Sequence, residues 1–168
     1  DNPFPEEFNR RTTSLIATHH FAPTSWAAKN LLDEKFESKK VFVTGNTGID
    51  AVLQIAAKSE ELPFSERTER ILLLTTHRRE NWGEPQRRIV EAARAILDTF
   101  SDTFLVVPMH KNPQVRDTIT RALGEHERVA LIEPPDYSGF VQLMKRSHLI
   151  LTDSGGVQEE APAFGKPI

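Results

Sequence analysis

The chain has 168 residues, with 21 Lys and Arg against 24 Asp and Glu, and its formal charge of −3 excludes the strongly basic balance of a nucleic-acid binder. Hydrophobic residues make up 38%, enough to bury a core, yet the longest apolar runs, Ile71 to Leu74 and Phe104 to Met109, fall far short of the ~20 residues a membrane-spanning helix needs. Zero cysteines exclude disulfides, thiolate metal sites and a cysteine nucleophile, and make the reducing cytoplasm the expected compartment.

The acidic, proline-rich start, Asp1 to Glu7, lacks the charged and apolar regions of a signal peptide. At the other end, Gly165-Lys166-Pro167-Ile168 reads as the close of a helix and the opening of another strand, so a fragment of a longer chain is expected. A helix around Phe8 to Thr18, a short strand His19 to Ala22 and a helix Ser25 to Glu34 come first. The run Lys40 to Thr44 is a strand ending at Gly45, and Ile49 to Lys58 is helical, with Ile49, Val52, Leu53 and Ala56 on one face. The polar stretch from Lys58 to Arg70, with Pro63, is a linker candidate.

Arg70 to Thr76 is the next strand, followed by a loop holding Trp82-Gly83 and a helix from about Pro85, whose stripe is Ile89, Ala92, Ala93, Ile96, Leu97 and Phe100. The pattern repeats as strand Thr103 to Met109, helix Pro113 to Leu123 closed by Gly124, and strand Arg128 to Ile132. It continues as helix Tyr137 to Arg146, with Phe140, Val141 and Met144 inward, strand His148 to Thr152, a tight turn Asp153 to Gly156, and helix Val157 to Phe164. Apolar strands without alternation, joined by helices, predict a doubly wound, Rossmann-like α/β fold with a parallel sheet. The expected division is residues 1–43, the end of a preceding domain, and 44–168, a nucleotide-binding domain. Trp26, Phe36 and Phe100 are core candidates, and His19 and His20 read as packed strand residues.

Ligands of open α/β sheets bind beyond the carboxyl ends of the strands, which singles out the loops Gly45 to Gly48, Thr76 to Gly83, His110 to Pro113 and Asp153 to Gly156. Ser154, Gly155 and Gly156 open a helix, where free N–H groups and the helix dipole favour an anion; an N-cap in a tight turn is the structural alternative. Glu160, four residues after Gly156, can accept from a vicinal diol such as that of a ribose, so phosphate plus diol points to a nucleotide. His77, Arg78 and Arg79, with His110 and Lys111 at another strand end, suit a polyanion, against the alternative of an Arg–Glu80 pair on a solvated loop. Tyr137 and Phe140 either stack on a base or pack. Glu6 and Glu7 are acid/base candidates or simply first-turn carboxylates. No histidine pair has helical i, i+4 spacing and no carboxylate cluster surrounds one, so no metal is expected.

Five motifs, Phe4-Pro5-Glu6-Glu7-x-Asn9-Arg10, Thr44-Gly45-Asn46-Thr47, His77-Arg78-Arg79-Glu80-Asn81, Pro108-x-His110-x-Asn112-Pro113 and Thr152 to Pro162, together resemble the bacterial non-hydrolysing UDP-N-acetylglucosamine 2-epimerases. The resemblance spans the chain and implies under half of a two-domain, GT-B-type protein that interconverts UDP-GlcNAc and UDP-ManNAc by eliminating UDP and adding it back. It assigns Glu6 and His77 to catalysis. Ser154, Gly155, Gly156, Glu160, Phe140 and Arg10 go to substrate binding, and Arg78 and His110 to a second, regulatory UDP-GlcNAc. It places two further catalytic acids upstream of Asp1 and implies no cofactor and a homodimer at full length. One residue departs from the pattern: Pro135 stands where the family more often has a non-proline residue. A GT-B glycosyltransferase, a hydrolysing epimerase and a non-catalytic UDP-sugar-binding module are the alternatives, and the intact His77 to Asn81 run argues against the hydrolysing form.

Overall fold

The computed structural model describes residues 4–58 and 64–168. The first part of the expected linker, at 59–63, and the start of the proline-rich stretch, at 1–3, therefore lie outside the described residues. The chain divides into two compact units, Asp1–Thr47 and Gly48–Ile168. Among the described residues no helix is long and apolar enough to cross a membrane.

The first unit holds α1 (Glu6–Ile16), β1 (His20–Ala22), α2 (Ser25–Asp33) and β2 (Val41–Val43). β1 and β2 pair in parallel, His20 opposite Val41 and Ala22 opposite Val43. Thr24 caps α2, its hydroxyl accepting from the Ala27 N–H at 3.1 Å. Two expectations are corrected here. Trp26 is 75% exposed, because it sits two residues, about 200° of helix rotation, before Ala28, the buried position of α2. His19 precedes β1 and is exposed, so the packed role belongs to His20, whose ring lies 4.6 Å from that of the half-buried Phe36.

The second unit contains α3 (Thr47–Ala56, its first residue shared with the first unit), β3 (Arg70–Thr75), α4 (Glu84–Thr99), β4 (Thr103–Pro108) and α5 (Pro113–Leu123). It continues with β5 (Val129–Ile132), α6 (Tyr137–Arg146), β6 (Leu149–Thr152) and α7 (Gly155–Glu160). The four strands form one parallel sheet in the order β5-β4-β3-β6. Alternate strand residues serve opposite faces. Ile71, Leu73, Phe104, Val106 and Ile150 meet the helices α3, α6 and α7, whereas Leu72, Leu74, Leu105 and Val107 meet α4 and α5. Helices on both faces bury both sides of the sheet, which is why its strands read as unbroken apolar runs. This is the doubly wound Rossmann-like fold.

The stripe of α4 differs from the expected one. Its buried positions are Gln86, Val90, Ala93 and Leu97, spaced i, i+4, i+7, i+11, with Ile89 and Ile96 on the flanks, while Ala92 is exposed. Phe100 is 48% exposed, because α4 ends at Thr99 and the backbone turns extended at Phe100, carrying the ring off the stripe. The last helix is also shorter than expected: α7 starts at Gly155 and ends at Glu160, and residues Ala161–Phe164 tighten into a 3-10 turn at Pro162. α3 starts and stops two residues earlier than its apolar stripe implied.

Candidate functional site

β3 is followed by α4 on one face of the sheet, β6 by α7 on the other, and the two strands are neighbours. Their carboxyl ends therefore diverge into a crevice, the topological switch point at which open α/β sheets receive ligands. The loop after β3, from Thr76 to Gly83, and the turn after β6, from Asp153 to Ser154, meet there.

Asp153 joins them. Its carboxylate accepts from the Thr76 hydroxyl at 3.1 Å, from the backbone N–H of His77 at 3.1 Å and of Arg78 at 3.0 Å, and from the side-chain amide of Asn81 at 2.9 Å. The His77 Nδ1 lies 3.2 Å from the same group. Burial pushes this carboxyl up, but the bonds from Asn81 and from the Arg78 and His77 N–H groups outweigh it and hold the group below the ordinary range. One step below, the hydroxyls of Thr75 and Thr152 bond across the strands at 2.6 Å, and Thr152 Oγ1 also accepts from the Ser154 N–H.

Around this anchor the expected residues gather. His77, His110, Pro135, Phe140, Ser154 and Val157 line one cleft of about 240 Å³. The two imidazole rings lie nearly parallel, 6.3 Å apart. His110 is oriented by the Asn112 N–H, which donates to its Nδ1, and Asn112 in turn caps α5. Ser154 is an N-cap as the structural alternative proposed, its oxygen accepting from Val157 N–H at 3.4 Å, yet its own proton remains available to an anion. The helix supplies no partner for the first N–H groups of α7, at Gly155 and Gly156. A β-carbon at position 155 would stand 3.4 Å from Nη2 of Arg78, so glycine lets the guanidinium lie close to that turn. Arg78 also pairs with Glu80 at 3.3 Å. Glu160, at the end of α7, accepts from the phenol of Tyr137 at 3.0 Å.

The arrangement offers two imidazoles, a guanidinium, a hydroxyl and two N–H groups beside an apolar wall of Phe140, Val157 and Pro135. That combination suits an anion carrying a planar group. Sequence reasoning placed Asp153 in the turn but gave it no role, and it did not pair Tyr137 with Glu160. An aspartate following an apolar strand was the one available signal for the first.

The other two expected residues belong to the first unit. Glu6 is exposed in the first turn of α1. Arg10 forms a double ion pair, at 2.7 Å to Glu7 and 2.6 Å to Glu34. Hydrogen bonds from Arg10 and Arg11 push Glu7 down to about 2. A larger cavity of about 830 Å³ lies beside this pair, but its one arginine, Arg10, is already engaged by Glu7 and Glu34. Among the described residues no group of three or more His, Asp or Glu could hold a metal ion.

The family model for UDP-N-acetylglucosamine 2-epimerase matches residues 1–168. The chain belongs to the UDP-N-acetylglucosamine 2-epimerase family. It is 47% identical to the enzyme of that name from Bacillus subtilis over 99% of its own length and 44% of the relative's. The structure of S. aureus MnaA with UDP superposes with a TM-score of 0.91 at 47% identity, covering 99% of this chain and 46% of that one. The Neisseria meningitidis UDP-GlcNAc 2-epimerase bound to UDP-GlcNAc gives 0.87 at 43% identity, covering 98% and 47%. The chain thus spans less than half the length of the relatives it matches.

Proposed function

We propose that the protein carrying this chain interconverts UDP-GlcNAc and UDP-ManNAc without net hydrolysis, and that residues 48–168 supply the nucleotide half of its site. The observation that carries the reading is the convergence of His77, Arg78, Ser154, Gly155 and Phe140 at the β3–β6 crevice of a chain that matches the family from end to end. The C2 hydrogen of the sugar is not adjacent to a carbonyl, so direct proton removal is slow. Breaking the C1–O bond to UDP while C2 loses its proton forms a C1=C2 double bond. UDP then returns to C1 as a proton reaches C2 from the opposite face.

In this reading the N–H groups of Gly155 and Gly156, the Ser154 hydroxyl and His77 stabilise the departing diphosphate, which carries the developing charge. Phe140 packs on the uracil and Glu160 accepts from the ribose hydroxyls. Glu6 acts on the C2 proton, and Arg10, which pairs with Glu7 and Glu34, contributes to binding the substrate. Arg78 and His110 contact a second nucleotide sugar that activates the enzyme. The proposal extends to a cytoplasmic homodimer of full-length chains.

The test is exchange in D₂O. Full-length protein incubated with UDP-GlcNAc is expected to place deuterium at C2 of both epimers without accumulating free N-acetylmannosamine, and Arg78→Ala to lose activation by substrate. Release of free N-acetylmannosamine, or UDP release only with an acceptor sugar, overturns the reading. The 168-residue chain alone is expected to bind UDP without C2 exchange, since the family pattern places two further acids before Asp1.

A further inference from the structure

Tyr137 is the only tyrosine in the chain, and it stands in the first turn of α6, one helical turn before Phe140. Asp136 fixes that turn by accepting from the Gly139 N–H at 2.8 Å. Position 139 is itself crowded: a β-carbon there would meet Pro135 at 3.1 Å, so this glycine lets the proline close down on the helix start. The turn consequently presents two aromatic side chains in fixed directions. Phe140 enters the cleft beside Ser154 and Val157, and the Tyr137 phenol donates to Oε1 of Glu160 at 3.0 Å.

Glu160 is the last residue of α7 and carries three rotatable side-chain bonds. Fixing such a side chain costs up to about 2 kcal/mol when it happens on ligand binding. The Tyr137 bond fixes it beforehand. One phenol occupies one of the carboxylate's four lone-pair sites, which leaves both oxygens able to accept. A carboxylate held by one donor with both oxygens available matches a vicinal diol, which needs two acceptors at a set spacing.

We propose that Tyr137 is a positioning residue for the nucleotide: it holds Glu160 in the orientation that receives a ribose diol, and the pair, rather than Glu160 alone, selects a ribonucleoside diphosphate over its deoxy forms. This rests on the nucleotide reading given above and adds the residue that sets its sugar specificity. Burial first, then the hydrogen bond to Glu160 and its charge, raise the phenol above its ordinary value. The O–H therefore remains a donor throughout the neutral range.

The experiment is calorimetric titration of the 168-residue chain, as wild type, Tyr137→Phe and Glu160→Gln, with UDP and with 2′,3′-dideoxy-UDP. Wild type is expected to prefer UDP by about tenfold or more, Glu160→Gln to lose the preference, and Tyr137→Phe to reduce it to about two- to threefold with dideoxy-UDP affinity unchanged. A preference that survives Tyr137→Phe in full while Glu160→Gln abolishes it overturns the proposal and leaves the nucleotide reading standing. Equal weakening of both ligands by Tyr137→Phe means a merely structural role and also overturns it. If wild type binds both ligands equally, the diol role of Glu160 and the proposal fail while nucleotide binding stands; if neither this chain nor the full-length protein binds UDP, the nucleotide reading fails and the proposal fails with it. A ligand-free readout stands beside these. Because the tyrosine is single, its ionisation is read directly by ultraviolet absorbance, and it is expected to move down towards the ordinary range in Glu160→Gln; no movement overturns the bond on which the proposal is built.

Discussion

Asp153 concentrates more of the site's geometry than any side chain that directly faces the cleft. Its carboxylate is 10% exposed and holds two loops that are more than seventy residues apart in sequence. Replacing it by Asn keeps the shape but turns one oxygen into a donor that meets the Asn81 amide and the N–H groups of His77 and Arg78. Bonds to a charged acceptor contribute more than neutral ones, so Asp153→Asn is expected to cost about 2–3 kcal/mol, read as a lower urea midpoint at pH 7. The pH dependence follows from the direction of the shift. A carboxyl lowered on folding contributes stability that is fully present above the unfolded value of about 3.9 and is lost as pH falls through the folded value. The gap between wild type and Asp153→Asn should therefore be constant near neutrality and narrow below about pH 4; a gap that persists at about pH 2.5 would assign the cost to packing instead. None of this was readable from the sequence beyond the presence of an aspartate after a strand. Its partners Asn81 and Thr76 lie 72 and 77 positions away, and no local pattern encodes a bond across that separation.

At the scale of elements, legibility followed locality. The bounds of α5 and α6 were read to the residue, because Asn112 and Asp136 cap them with bonds to N–H groups two and three positions on. α4 was harder: the expected stripe held Ala93 and Leu97 but omitted Val90 and Gln86, a polar residue at a fully buried position, and took in Ala92 and Phe100, which are exposed. The entry to α4 depends on Gly83, whose φ of 80° and ψ of −125° lie in a region essentially reserved for glycine. Nothing lies within 4 Å of where its β-carbon would be, so the obstacle to substitution is conformation rather than space. Gly83→Ala is expected to cost about 1–3 kcal/mol by thermal unfolding. Because the Trp82 indole N–H donates to the His77 carbonyl at 3.3 Å, the variant should also disturb the His77 resonances in an NMR spectrum. A change under about 0.5 kcal/mol would mean that the turn tolerates another backbone path.

For the molecule as a whole, the two units are unequal in what they bury. The second unit carries apolar layers on both faces of its sheet, with Leu73, Leu105, Val106, Val141 and Ile150 at zero or one per cent exposure. In the first unit the buried apolar residues, among those described, are Ala22 and Ala28, while Phe21, Phe42, Leu15 and Ile16 are 42–83% exposed. Ordering a backbone residue costs about 1–2 kcal/mol, and burying a few methyl groups at roughly 25 cal/mol per Å² cannot offset that over some forty residues. The ring contacts of Phe21 with Phe42, 5.9 Å apart, and of His20 with Phe36 add about 1 kcal/mol each. Stability in the 168-residue chain is therefore expected to reside in the second unit. Hydrogen exchange should find the amides of β3 and β4 protected by several kcal/mol while those of α1, β1 and β2 exchange within about 1 kcal/mol of the unprotected rate. Relatives of more than twice this length offer the natural comparison: in a full-length protein the same first-unit amides should gain protection, whereas those of β3 and β4 should change little. Equal protection of both units in the 168-residue chain would show that the first unit draws its stability from somewhere other than its own buried surface.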